Sequence, residues 1–77
     1  MHYWEASRWK IRKEIGARIR ALREAKGLSV CDLAERSAVP EMEIGMLENG
    51  KRSVRFETLL CLARALGVSP TSLFESR

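Results

Sequence analysis

Few residues of this chain are of a type that carries out covalent chemistry. The single histidine, His2, is at the start of the chain, and Cys31 and Cys61 are widely separated, with no CxxC spacing. No nucleophile has a general base near it in the pattern, no metal-ligand spacing occurs, and no glycine-rich phosphate loop is present. We therefore predict a protein that is not an enzyme, has free thiols, and binds no metal or cofactor.

Residues 41–49 are better suited to binding another macromolecule. Ile44 and Leu47 have the spacing of inward residues on one short helix, so the remaining residues form an outward stripe. That stripe consists of Glu41, Met42, Glu43, Gly45, Met46 and Asn49. Methionine adapts to irregular apolar pockets, and glycine permits close backbone approach. This pattern predicts that the helix binds a protein groove with an apolar floor and a basic rim.

Two other interpretations of this stretch stay open. A helix that reads the DNA groove uses hydrogen-bond donors for phosphate and guanine, or a side-chain amide for adenine. In this chain Glu41, Glu43 and Glu48 would instead face the phosphates, which repel carboxylates. The basic loop that follows could nevertheless contact DNA. This interpretation assigns DNA contacts to Lys51, Arg52, Arg55, Glu43 and Asn49. The second interpretation is that Met42 and Met46 are core residues with no binding role.

The sign of the charge changes twice along the chain. Residues 1–27 hold eight basic and three acidic side chains. Residues 28–50 hold one basic and five acidic side chains, and residues 51–77 hold five basic and two acidic ones. A net charge of +4 favours nucleic acid as partner, but the segment that would enter a groove is the acidic one. No apolar run is long enough for a membrane span, and the start lacks a signal peptide's apolar region. We expect a cytoplasmic location and no membrane contact.

Hydrophobic spacing and helix-end signals predict an all-α fold of five helices, at about 7–26, 30–37, 41–48, 56–66 and 70–75. Ser29 is the expected cap of the second helix, with Asp32 completing a capping box. The first helix is expected to bury Ile11, Ile15, Ile19 and Leu22, and to expose Arg8, Arg12, Arg18, Arg20 and Arg23. The fourth is expected to bury Phe56, Leu59, Leu60, Ala63 and Leu66, and the fifth to bring Leu73 and Phe74 to the core or to a second subunit.

The start of the chain is predicted to be an N-terminal extension, residues 1–10, ahead of a single domain over residues 11–77. Ser7 is expected to cap the first helix. Trp4 and Trp9 are expected to cover the core, because aromatic side chains bury a large area. The alternative is that Tyr3, Trp4 and Trp9 bind a partner.

Four segments resemble one known family: IGARIRALREAKGLS, LAERSAV, IGMLENGKR and FETLLCLARALGVSPTSLF. Together they cover about residues 11–74 and are similar to the lambda-repressor/Cro-like (XRE) helix-turn-helix family. The resemblance implies a five-helix bundle with the helix-turn-helix at about residues 30–48. It also implies a cytoplasmic regulator, often a homodimer, with operator DNA as ligand. The basic loop with SVRF is similar to the restriction–modification controller proteins of that family.

The chain departs from the family pattern where the family contacts DNA. Val30 stands where the family usually has glutamine, and Ala38 where its turn usually has glycine. The acidic stripe replaces the usual polar donors. We therefore expect an antiactivator, which binds and inhibits a partner transcription factor and is similar to the small antiactivators of conjugative elements. One alternative is a homodimeric operator-binding repressor or controller; a second is an antitoxin-like neutralising protein.

Overall fold

The structure, a computed structural model, has four α-helices followed by one short 3₁₀ turn. It describes the backbone of residues 3–73 and the side chains of residues 9–73, and no strand occurs in that part of the chain. The elements are α1 (Tyr3–Ala25), α2 (Val30–Ser37), α3 (Glu41–Glu48), α4 (Phe56–Leu66) and the 3₁₀ turn (Pro70–Leu73). Within the described range, no helix combines the length and apolar character that crossing a membrane requires.

The first helix begins earlier than the sequence indicated. It includes Ser7, so the prediction that Ser7 caps it is wrong. Ile15 and Ile19 are buried as expected, but the prediction was wrong for Ile11, which is 50% exposed. At its other end, Gly27 adopts a left-handed conformation with φ of 70° and ends the helix.

The helix-turn-helix at residues 30–48 forms as predicted. The Ser29 hydroxyl accepts a hydrogen bond from the Asp32 amide at 2.9 Å, and the Asp32 carboxylate accepts one from the Ser29 amide at 2.9 Å. This reciprocal pair is a capping box that satisfies two otherwise free donors at the start of α2. The turn then passes through Ala38, whose φ of 63° is left-handed.

The fourth helix buries a different face from the predicted one. Leu59, Ala63 and Leu66 are in the core, but Leu62 joins them there. The prediction was wrong for Phe56, which is 66% exposed, and for Leu60, which is 39% exposed. Both lie on the side of α4 that no described helix covers.

In the place of the predicted fifth helix the structure has a single 3₁₀ turn, so residues 3–73 form four α-helices rather than five. Val68 and Pro70 are half-buried, and Leu73 is buried against α1 and α4. The second residue expected at this end of the core, Phe74, is outside the described residues.

The core is built from twelve apolar residues that come from every element. They are Ile15, Ile19, Leu28, Leu33, Val39, Ile44, Leu47, Leu59, Leu62, Ala63, Leu66 and Leu73. The closest helix contact in it is between α1 and α3, at Gly16. A Cβ atom there would overlap the carbonyl oxygen of Leu47 and lie 2.9 Å from that of Glu48. Gly16 therefore lets the two backbones touch.

Trp9 does not cover the core. Its side chain is 51% exposed, and the cationic groups of Arg12 and Lys13 lie 5.5 and 5.3 Å from its ring centre. The prediction for Trp9 was therefore wrong. The side chains of Tyr3 and Trp4 are outside the described residues.

Candidate nucleic-acid or protein interface

The outward side of α3 is the candidate interface. Met42 is 76% exposed and Met46 37% exposed, so the interpretation that places both in the core is wrong. Ile44 and Leu47 point inward, as predicted. Glu41 and Asn49 are exposed beside the methionines, while Glu43 and Gly45 are half-buried. We call these six residues, Glu41, Met42, Glu43, Gly45, Met46 and Asn49, the α3 stripe.

The carboxylates of the α3 stripe lie at the start of the helix. Pro40 occupies the N-cap position and supplies no side-chain hydrogen bond. The helix dipole places partial positive charge at this end, which carboxylates in the first turn stabilise. Glu41 and Glu43 therefore have a structural role even without a partner, and part of the acidity of this surface is offset by the helix itself.

The stripe offers few donors to a ligand. The amide Nδ2 of Asn49 donates to the Gly45 carbonyl at 2.9 Å and thus helps to end α3. Its Oδ1 has no such role and is the polar atom that Asn49 presents. The surface therefore consists mainly of two thioethers, the half-buried backbone of Gly45, and acceptor oxygens.

Glu48 does not belong to this surface. Its carboxylate accepts two hydrogen bonds from the guanidinium of Arg23, with distances of 2.7 Å to Nε and 3.0 Å to Nη2. Arg23 also donates through Nη1 to the carbonyl of Leu28 at 2.8 Å. Both side chains are nearly buried, and the hydrogen bond to Glu48 raises the pKa of Arg23.

Two predictions about charge are corrected by this pair. Arg23 was expected on an exposed basic face, and Glu48 was expected to face a DNA backbone. Instead the two ionised groups neutralise each other between α1 and α3. This leaves Glu41 and Glu43 as the carboxylates that lie within the α3 stripe.

The basic loop follows α3 directly. Lys51, Arg52 and Arg55 are all exposed. Arg52 bends back toward the stripe, with its Nη1 4.0 Å from the Sδ of Met46. The structure thus brings the loop cations next to one end of the α3 stripe, so that an extended ligand would contact both.

Both cysteines are exposed. The nearby Glu41 carboxylate, by accepting a hydrogen bond and by its charge, raises the pKa of Cys31. A raised pKa lowers the fraction of reactive thiolate. In the described residues no group of three or more potential ligands could hold a metal ion, and His2 is outside them.

Two residues that shape the interface were missed in the sequence. Gly16 sets the distance between α1 and α3, and nothing in its local pattern distinguishes it from an ordinary helical glycine. Arg23 had a usable signal, because it follows Ile15 and Ile19 at intervals of four and so falls on the buried face. A buried arginine requires a partner, and the nearest unassigned carboxylates were those of α3.

This geometry, with α2 and α3 joined by a tight turn and α3 presented outward, defines a helix-turn-helix domain. The sequence model of the family described as Helix-turn-helix domain matches residues 14–74. The chain belongs to the lambda-repressor/Cro-like (XRE) helix-turn-helix family, as the sequence indicated.

Several solved structures are similar to it, and two of them are described here. The restriction-modification controller protein C.AhdI from Aeromonas hydrophila is 41% identical, with 82% of this chain and 96% of that one covered and a TM-score of 0.80. The DNA-binding domain of BldD is 32% identical, with 86% and 96% covered and a TM-score of 0.77.

Curated relatives of the chain include proteins that are named as uncharacterized HTH-type transcriptional regulators. One is y4dJ from Sinorhizobium fredii, which is 38% identical over 63 residues, or 82% of both chains. Another is Rv0023 from Mycobacterium tuberculosis, which is 39% identical over 59 residues, or 77% of this chain. The matched region is only 23% of the length of the mycobacterial protein.

Proposed function

We propose that this chain is a DNA-binding regulator of transcription that acts in the cytoplasm as a homodimeric repressor or controller. The observation that carries the proposal is the exposed basic loop, Lys51, Arg52 and Arg55, at the end of an outward α3. In a helix-turn-helix, phosphate contacts from such positions fix the recognition helix in the major groove. The similarity to a controller protein and to a DNA-binding domain supports the same function.

In this function, residues of the α3 stripe contact the edges of the DNA bases. The carboxylate of Glu43 accepts from the amino group of cytosine, and the Oδ1 of Asn49 accepts from a base amino group. Met42 and Met46 contact thymine methyl groups, which apolar side chains recognise. Neutralisation of Glu48 by Arg23 removes one source of phosphate repulsion at the centre of the contact.

The test is fluorescence anisotropy with labelled DNA from upstream of the gene and with a scrambled duplex of the same composition, across a salt series. We expect micromolar or tighter binding to the upstream DNA and a clear preference over the scrambled duplex. Weak binding that is equal for both duplexes and vanishes by physiological salt would contradict the proposal, because only sequence-independent phosphate contact behaves in that way.

A second candidate function is an antiactivator that binds a partner transcription factor through the α3 stripe. The observation that favours it is the exposure of Met42, 76%, beside Met46 and between carboxylates. Exposed methionines adapt to apolar grooves, and the scarcity of donors on α3 is no disadvantage in a protein interface.

The two candidates respond differently to substitution. In cells with a reporter that the wild-type protein silences, Met42→Asp should abolish silencing by an antiactivator, while Lys51→Ala with Arg52→Ala should leave it intact. The loop variant should abolish silencing by a DNA-binding repressor. Circular dichroism of each purified variant shows whether the helices are retained, as the exposure of all three side chains leads us to expect.

A further inference from the structure

A groove whose apolar lining has no role in the proposed function lies on the side of the domain formed by α1, the basic loop and the start of α4. Its volume is about 300 Å³. The buried side chains of Ile15, Leu47 and Leu59 contribute apolar atoms to its lining. The more exposed lining comes from Ile11, Val54 and Phe56.

The groove leaves a large apolar area in water. Phe56 is 66% exposed and Ile11 is 50% exposed, on two helices that face each other across it. Exposed apolar area costs roughly 25 cal/mol for each Å². Contiguous apolar area of this kind on a small domain marks a binding site more often than isolated exposed residues do.

Two arginines line the same groove, and neither forms an ion pair with another described residue. The guanidinium of Arg12 lies 5.5 Å from the ring centre of Trp9, and its Nε has no hydrogen-bond partner among the described residues. The contact of Arg52 within residues 9–73 is the weak one with the Met46 sulfur. The ion pairs of residues 9–73 involve Arg20 and Arg23 and not these two. Because both guanidinium groups carry a positive charge at the groove, an anion placed between them would be stabilised.

We propose that this groove binds a small amphiphilic carboxylate, with an alkyl or aryl tail against the apolar lining and the carboxylate on Arg12 and Arg52. The volume is at the lower end of the range of small-molecule sites, about 300–1,000 Å³. A partner helix is about 10 Å across with its side chains and would cover the mouth without filling the floor. The α3 helix of a second copy of this chain has acidic residues that would complement the two arginines. It is nevertheless too wide to fill the floor of the groove, as is any other helix.

Occupancy of the groove has a consequence for regulation. Arg52 belongs both to the groove and to the loop assigned to DNA phosphates, so a bound carboxylate would withdraw that cation from DNA. This coupling rests on the proposed function, whereas binding of the carboxylate does not. The ligand is therefore to be tested first in the absence of DNA.

The probe is octanoate, titrated into ¹⁵N-labelled full-length protein below its micelle concentration and followed by heteronuclear NMR. Acetate serves as the charge-only control and 1-octanol as the tail-only control. We expect saturable shifts at the amides of Ile11, Val54 and Leu59, with affinity at least about tenfold weaker for either control, which corresponds to about 1.4 kcal/mol. Equal affinity for 1-octanol, or no saturation with octanoate, would overturn the proposal.

Variants separate the site from general attraction to a basic protein. Arg12→Gln with Arg52→Gln should weaken octanoate binding at least about tenfold. The matched control is Arg64→Gln on the exposed side of α4, outside the groove, which should leave binding unchanged. An equal loss in both variants, with the helical circular dichroism signal intact, would show non-specific attraction and overturn the site.

A final arm separates this proposal from the proposed function. If the protein binds its upstream DNA but not octanoate, the groove proposal fails and the proposed function stands. If it binds octanoate but not DNA, the site stands and the coupling fails with the proposed function. If it binds both, octanoate should weaken DNA binding in the wild type and not in Arg52→Gln; equal DNA affinity with and without octanoate would overturn the coupling.

Discussion

Ala38 holds a left-handed backbone conformation that its methyl group disfavours. Its φ is 63°, at the turn between α2 and α3, and it is exposed. This conformation costs an alanine on the order of 1 kcal/mol, a strain that glycine lacks. We predict that Ala38→Gly stabilises the domain by up to about 1 kcal/mol in urea unfolding. The control is Ala21→Gly, an exposed position within α1, which should destabilise by about the same amount. Destabilisation by both would contradict the argument.

Two glycines within helices give opposite predictions for the same substitution. Gly16→Ala should destabilise the domain by about 3 kcal/mol, because the new methyl group would overlap backbone atoms of α3 that have no room to move. Gly45→Ala should stabilise it by about 0.5–1 kcal/mol, because no atom lies within 4 Å of the added methyl group. Thermal unfolding of the pair, beside wild type, measures both effects. A similar melting temperature for the two variants would show that α1 and α3 are not in close contact.

At the scale of elements, the Arg23–Glu48 pair joins α1 to α3. Glu48→Ala should cost about 3–5 kcal/mol, because it leaves the guanidinium of Arg23 nearly buried without its counter-charge. Glu24→Ala removes a carboxylate from an exposed pair with Arg20 and should cost no more than about 0.5 kcal/mol. Chemical denaturation of the two variants provides the comparison. Equal losses would mean that the buried pair contributes no more than a surface pair.

The capping box at the start of α2 predicts a dependence on pH. The hydrogen bond from the Ser29 amide lowers the pKa of Asp32. A pKa lower in the folded state than in the unfolded state adds stability above about pH 4, and that stability is lost as the pH falls through the folded-state pKa. Asp32→Asn should therefore be less stable than wild type at neutral pH and closer to it in acid. A stability difference between the two proteins that stays the same from neutral pH to acid would contradict this account.

Helix bounds were predictable where the chain carries local end signals, and less so elsewhere. Ser29, Gly67 and the Asn49–Gly50 pair are such signals, and α2, α3 and α4 have the predicted bounds. No comparable signal marks the start of α1, and its beginning was predicted four residues too late. The exposure of Phe56 and Leu60 could not be predicted, because periodicity defines an apolar face but not which part of it another helix covers. Glu41, Met42, Met46 and Asn49 are exposed as expected, whereas Glu43 and Gly45 are half-buried. The burial of the Glu48 side chain was not predicted.

At the scale of the whole molecule, the basic and acidic segments meet at the candidate interface. The negative charge of the acidic segment is offset at two places. The helix dipole offsets that of Glu41 and Glu43 at the start of α3, and Arg23 offsets that of Glu48. Lys51 and Arg52 are therefore expected to dominate phosphate contact. We predict that Lys51→Ala with Arg52→Ala reduces the slope of log affinity for DNA against log salt by about 2. Arg64→Ala, exposed on α4, is the control and should leave the slope unchanged. An unchanged slope in the double variant would mean that Lys51 and Arg52 do not contact DNA phosphates.

The contact of α1 with α3 at Gly16 has a consequence for how any partner is bound. At Gly16 the backbone of α1 lies directly against the backbone of α3, with no side chain between them. We therefore expect the eight-residue α3 to tilt little relative to the 23-residue α1. Ligand binding should then involve little ordering of the protein, so the conformational entropy lost on complex formation comes mainly from the partner, while released water and ions gain entropy. Amide hydrogen exchange in α3 should accordingly be as slow in the free domain as in the complex.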